Sequence, residues 1–165
     1  MTIGFRQRLL NGRRAMAHLI HVWHERNGWS HKVLPALAEC LSLGKVHNSQ
    51  ISNLRNGKLS SPGPEVFLAL AQANLLLYEG IDKVRDKLKK EHPELLKVLL
   101  DSGVPLTDDA QQPLSAGALF EIFLGLKPLP LCFDWFIEDH EAQLLSAALA
   151  DQLCCKKTWR QCRDE

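Results

Sequence analysis

The 165-residue chain is expected to fold as an all-α protein. Three observations carry that expectation. Apolar residues recur at intervals of three and four along most of the chain, the period of a helix that buries one side. No stretch alternates apolar and polar residues in the manner of a half-buried strand. Proline and glycine divide the periodic stretches into segments of helical length.

The elements follow in order. Leu9, Met16, Leu19, Ile20 and Trp23 predict a first helix over residues 5–26, ended by the run "NGWS". Ser30 can cap what comes next, but proline is tolerated only in a first helical turn. A second helix is therefore placed at residues 35–43, with Pro35 near its start and Gly44 at its end. A third covers residues 47–56 and a fourth residues 64–78, the latter striped by Val66, Phe67, Leu70, Ala71 and Asn74. Residues 80–103 read as two helices parted at Pro93. Residues 103–117 are polar and contain proline, which reads as a connection. Beyond them come a helix near 115–125, a breaker in "KPLPLCF", and a long helix near 134–160 with a seam of Leu144, Leu145, Ala148, Leu149 and Leu153. The organisation expected is a domain over residues 1–80 and an acidic helical region over residues 81–165, serving oligomerisation or effector binding.

Charge is distributed unevenly. Residues 1–60 hold nine Lys and Arg against two Asp and Glu, so +7, whereas residues 61–165 hold eleven against seventeen, so −6. A compact segment at +7 attracts polyanions, and nucleic acid is the commonest of these. No apolar run approaches the roughly 20 residues needed to cross a bilayer, so no membrane partner is expected. The first 30 residues lack the apolar core of a secretory signal, so a cytoplasmic protein with reduced thiols is expected. Cys40, Cys132, Cys154, Cys155 and Cys162 lack the paired spacing of a structural zinc site, and no metal or other cofactor is implied.

The stretch "NSQISNLRNGKLSSP", residues 48–62, carries most of the functional information. At 100° per residue, Ile51 and Leu54 fall on one side of a helix and must face a core. Ser49 and Asn56 then point away, Ser52 and Asn53 lie beside them, and Asn48 and Gln50 flank. Exposed helix surfaces usually favour Glu, Lys and Gln, which are better helix formers than Asn and Ser. Asn and Gln present a donor and an acceptor together, matching the N6/N7 edge of adenine, and Ser can bond several base edges. Asn56-Gly57 suits a left-handed helix end. Lys58, Ser60 and Ser61 follow as donors able to grip phosphate.

The longer run "HNSQISNLRNGKLSSPGPEVFLALAQAN" resembles the recognition helix, turn and next helix of the Cro/lambda-repressor type helix-turn-helix, the XRE class. Upstream, "VWHERNGWS" and "LPALAECL" are similar to the end of that family's first helix and to its second. The resemblance covers about residues 19–76. It implies a helix-turn-helix bundle, sequence-specific binding to double-stranded DNA as a homodimer, and a role in transcription regulation; the appended helical C-terminal region is expected from periodicity alone. By position it places base contacts at Asn48, Ser49 and Asn53. Other DNA contacts, mainly to phosphate, fall on Gln50, Ser52, Arg55, Asn56, Lys58, Ser60 and Ser61, with Arg6, Arg8, Arg13 and Arg14 of the first helix extending them. Two departures stand out. The segment from Gly28 to Ile51 is several residues longer than in the compact motif, so the second helix or the turn after it must be extended. Arg55 stands where the family often has an acidic residue, leaving either a swapped pair with Glu25 or a phosphate contact. The alternative function is a protein-interaction module that keeps the fold without reading DNA.

Other constellations carry less. His18, His21 and His24 form a slanted row on the first helix, expected as a solvated or phosphate-facing edge rather than a metal site. Cys154 and Cys155 point about 100° apart on a helix, a poor start for chelation with Cys162 and His140. "FDWFIEDHE" gathers Asp134, Glu138, Asp139, His140 and Glu141, an acidic helix start of a common kind. No phosphate loop or nucleophile elbow is present, so no catalytic residue and no enzyme activity are predicted.

Overall fold

A computed structural model describes residues 4–44, 46–58, 61–133 and 139–153. The chain forms two compact units, Met1–Phe133 and Asp134–Glu165. All regular structure among the described residues is helical, apart from a single isolated bridge between Thr107 and Pro113. The first unit contains α1 (Phe5–Asn27), α2 (Val33–Cys40), α3 (Asn48–Arg55), α4 (Pro64–Glu79), α5 (Arg85–Glu91), α6 (Pro93–Asp101) and α7 (Ala116–Phe123). Short 3-10 turns at Ile81–Val84 and Leu131–Phe133 complete it.

The helical periodicity becomes one core. Met16, Leu19, Ile20 and Trp23 of α1 meet Leu34 and Leu37 of α2, Ile51 and Leu54 of α3, Val66, Phe67 and Leu70 of α4, and Leu119 and Ile122 of α7. α2 starts two residues before its expected position. Pro35 is its third residue, where a backbone N–H has no helical partner to lose. The helix closes at Cys40, and Ser42, at φ 57°, takes the left-handed position beyond it. The extra length noted between Gly28 and Ile51 therefore falls in the α2–α3 connection, residues 41–47, and not in α2.

The first compact unit does not end near residue 80. It runs to Phe133, because the polar segment after α6 is packed and α7 closes on α1 and α4. Leu106 and Leu114 are buried. Asn27 donates to Val104 O at 3.2 Å and accepts from Val104 N–H at 2.7 Å, while the Trp23 indole also donates to Val104 O at 2.9 Å. Trp29 donates to Ser102 O at 3.2 Å, and the Ser102 hydroxyl donates to Asn27 O at 2.5 Å. Asn74 of α4 brackets Leu106 in the same way and also approaches Leu114 O at 3.4 Å, so backbone groups of Val104, Leu106 and Leu114 are bonded by side chains of α1 and α4.

α7 approaches α1 at glycine. A Cβ on Gly12 would lie 2.3 Å from Phe123 O and 2.4 Å from the Gly125 nitrogen. Phe67 of α4 meets Phe120 and Phe123 with ring centroids 5.4 and 5.5 Å apart. The turn Leu131–Phe133 is held by α1: His18 Nε2 donates to Phe133 O at 3.0 Å, and Arg26 donates to Cys132 O while lying 4.5 Å above the Phe133 ring.

The second unit contains α8 (Asp139–Leu153), which falls within the helix expected over 134–160; the remaining residues of that span lie outside the described ones. Leu144, Leu145 and Leu149 of its seam are exposed. Cys154, Cys155 and Cys162, with Asp134 and Glu138, lie outside the described residues, as do the side chains of Asp139, His140, Glu141 and Leu153. No helix among the described residues is long and apolar enough to cross a membrane.

Candidate nucleic-acid interface

Local sequence fixes both ends of α3. At its start, Gln50 folds back so that its Oε1 accepts from His47 N–H at 2.8 Å, supplying a partner the helix itself cannot. At its end, Gly57 at φ 67° lets Lys58 N–H reach Asn53 O at 2.8 Å and its own N–H reach Leu54 O at 3.1 Å. These are the paired bonds of a Schellman end. Between the ends, Ile51 (0% exposed) and Leu54 (2%) anchor the helix in the core.

With those two residues inward, the opposite face is free. Asn48, Ser49 and Asn53 are exposed, and Asn56, Lys58 and Ser61 are exposed at the C-terminal rim. Gln50, Ser52 and Arg55 are half-buried. Gln50 is thus committed in part to its own helix cap, which leaves its amide nitrogen rather than its oxygen for an outside partner. Asn56 and Ser52 lie 3.5 Å apart, a long and weak contact. Ser60 lies outside the described residues.

Arg55 turns partly inward, and its Nε is buried with no hydrogen-bond partner. The pair with Glu25 offered by the sequence is not made; Glu25 sits 3.0 Å from His21. The basic residues of α1 divide into two groups. The α3 end rests on Ala17, whose Cβ would stand 3.8 Å from a Cβ at Gly57. At 100° per residue, Arg6 and Arg13 share the Ala17 side of α1, and Arg14 is about 60° away. Arg8 lies on the opposite side, with its backbone oxygen and Cγ against Gly125. It belongs to the α1–α7 contact and does not extend the α3 surface.

The histidine row also separates. His18 reaches Phe133 O and His21 reaches Glu25, whereas His24 is 1% exposed and part of the core. The expected solvated edge therefore ends before His24. Its Nδ1–H donates to Ile20 O at 2.7 Å, which leaves Nε2 as the bare nitrogen, and that atom is buried without a partner. Burial pushes the His24 imidazole below its ordinary value; the bond to Ile20 opposes the shift, and Arg55 adds to it.

A groove of about 380 Å³ opens beside the start of α3, lined by Lys32, Glu39, Val46, His47 and Asn48 among others. Lys32 and His47 were not singled out in the sequence. Their residue types are suited to phosphate; His47 precedes Asn48 in the chain, and the packing of α2 beside α3 brings Lys32 into the same groove. The combined surface is a row of amides and hydroxyls with Lys32 near its start, beside Glu39, and Lys58 at its end. Such a row can satisfy donors and acceptors on a ligand edge, while the flanking cations can hold anionic groups.

Residues 6–125 match the family described as a domain of unknown function (DUF8644), and the chain belongs to that family. No curated protein and no solved structure matches the chain.

Proposed function

We propose that this member of the DUF8644 family binds duplex DNA and reads its sequence through α3, as a transcription regulator of the Cro/lambda-repressor helix-turn-helix type. One observation carries the reading: the outward face of α3 is uncharged and exposed, while Ile51 and Leu54 hold its back in the core. Asn48, Ser49 and Asn53 contact base edges in the major groove. Asn56, Lys58, Ser61 and the adjoining Ser60 bind phosphate at the C-terminal rim, and Arg6, Arg13 and Arg14 continue that contact along α1. An eight-residue helix is about 12 Å long and spans only a few base pairs. Useful specificity then requires a second copy, with its own α3 in the next major groove about 34 Å away.

A second reading draws on a different observation. The α2–α3 connection, residues 41–47, exceeds the three or four residues that join the helices of the compact motif. A protein-interaction module that keeps the helical arrangement would tolerate that extension freely. Titration of the purified chain with random-sequence duplex at about 50 and 200 mM salt separates the two. DNA binding with a steep loss at the higher salt supports the regulator. Absence of binding at both concentrations contradicts it and favours the interaction module.

A further inference from the structure

α3 is held to the rest of the first unit by few anchors: Ile51, Leu54 and the seat of Gly57 on Ala17. α1, by contrast, is fixed independently by α7 at Gly12 and by the segment after α6 at Trp23 and Asn27. A disturbance at the α1–α3 contact should therefore move α3. His24 and Arg55 supply the means for one.

We propose that His24 is a pH-sensitive latch on α3: the neutral ring leaves the helix docked on α1, and a proton on Nε2 releases it. The geometry of the ring carries the inference. Nδ1–H is already bonded to Ile20 O, so the incoming proton can only occupy the buried Nε2, where no acceptor waits. The groups among the described residues that act on the ring electrostatically all oppose its charged form. They are Arg55 from α3, His21 one turn earlier on α1, and His31 from the turn before α2. The adjacent carboxylate, Glu25, is directed to His21 at 3.0 Å. From the α1–α2 turn, Trp29 offers a perpendicular ring at 6.3 Å. At 100° per residue His24 lies about 20° from Ala17, on the side of α1 that meets α3, and Arg55 of α3 acts on the ring electrostatically, so protonation would add a buried positive charge on that side with no acceptor for it.

The direction of the pH effect follows. Burial lowers the ring's affinity for a proton in the folded state, so the unfolded or undocked chain binds it first. Docking is fully supported above about pH 6.5, weakens as the pH falls from there toward the lowered folded value, and loses no more below it, where both states carry the proton. The latch acts on α3 whatever α3 binds, so its failure and the failure of DNA reading are separate results.

The test is amide hydrogen exchange on the full chain at about pH 7.5 and pH 5, with rates corrected for intrinsic exchange. Protection at Ile51 and Leu54 should fall about tenfold or more relative to Leu119 and Ile122 of α7. His24→Asn should abolish that difference, since an amide keeps the bond to the carbonyl four residues back, as Asn27 does with Trp23 O at 3.0 Å, yet does not titrate. Arg55→Gln offers a second variant, outside the core; it should shift the midpoint of the α3 response to higher pH. Equal loss in α3 and α7, no loss in either, or an α3-selective response that persists in His24→Asn would overturn the proposal. So would ring nitrogen shifts placing the neutral proton of His24 on Nε2.

Discussion

The side chain of Asn74 brackets the backbone of Leu106. Its Nδ2 donates to Leu106 O at 2.8 Å, and its Oδ1 accepts from Leu106 N–H at 2.6 Å. The same nitrogen stands 3.4 Å from Leu114 O. One buried amide on α4 thus does for residues 106 and 114 what a neighbouring strand would do in a sheet, and Asn27 repeats the device at Val104. These contacts fix Leu106 and Leu114 of the polar segment in the core, ahead of α7, which packs on α1 and α4.

Replacing Asn74 with alanine leaves the Leu106 N–H buried without its partner, while the Leu106 carbonyl keeps the bond from Leu114 N–H at 3.0 Å. The expected loss is about 3 kcal/mol, read from urea denaturation, with a larger effect than any surface substitution on α4. A loss under about 0.5 kcal/mol would mean that the segment is not held this way.

Gly12 and Gly117 should respond in opposite directions to alanine. Helix propensity favours alanine at both by up to about 1 kcal/mol. At Gly12 the new Cβ would meet backbone atoms of Phe123 and Gly125, which cannot rotate away, so Gly12→Ala should destabilise by about 2 kcal/mol or more. At Gly117 the nearest atom is the Ser115 hydroxyl oxygen at 3.9 Å, so Gly117→Ala should stabilise by about 0.5 kcal/mol. Thermal melts of the two variants side by side check the sign.

Ser42 takes a left-handed conformation, at φ 57°, that glycine adopts without penalty. Its backbone N–H bonds Glu39 O at 3.0 Å, and Leu43 N–H bonds Ala38 O at 3.0 Å, so the conformation is required by the end of α2. Ser42→Gly should raise stability by about 0.5–1 kcal/mol in denaturant titration. A neutral or negative result would show that the serine is compensated elsewhere.

The parts of this architecture that were legible in the sequence are local. Ile51 and Leu54 predict their own burial from spacing alone, and Asn56-Gly57 predicts its own turn. The segment over residues 103–117 is a connection, as its composition suggests, but its anchoring is not legible because its hydrogen-bond partners lie 32 and 77 residues away, and no local pattern encodes them. One trace was present: Asn74 is a polar residue in an otherwise apolar stripe of α4, and a buried amide must find partners. His24 was misplaced for a related reason. The row of three histidines advances around α1, and the tertiary packing, including Trp29 from the turn after α1, decides which member is covered. Arg8 and Arg13 likewise carry equal charge in the sequence and lie on different sides of one helix.

Within the DNA-reading proposal, two substitutions should separate base contacts from phosphate contacts. Asn53→Ala should relax preference among selected duplexes by about 1–3 kcal/mol while leaving random-sequence affinity nearly intact. Lys58→Ala should weaken all duplexes alike and reduce the steepness of the salt dependence by roughly one ion. Competition binding with selected and random duplexes reads both.

The most direct measurement of the central claim is residue-by-residue NMR of the chain titrated with duplex. The account predicts that the side-chain amides of Asn48 and Asn53 and the backbone of Ser49, Asn56 and Lys58 shift first and most, with α5 and α6 silent. Duplex binding that leaves α3 unperturbed, or shifts confined to another helix, would contradict it.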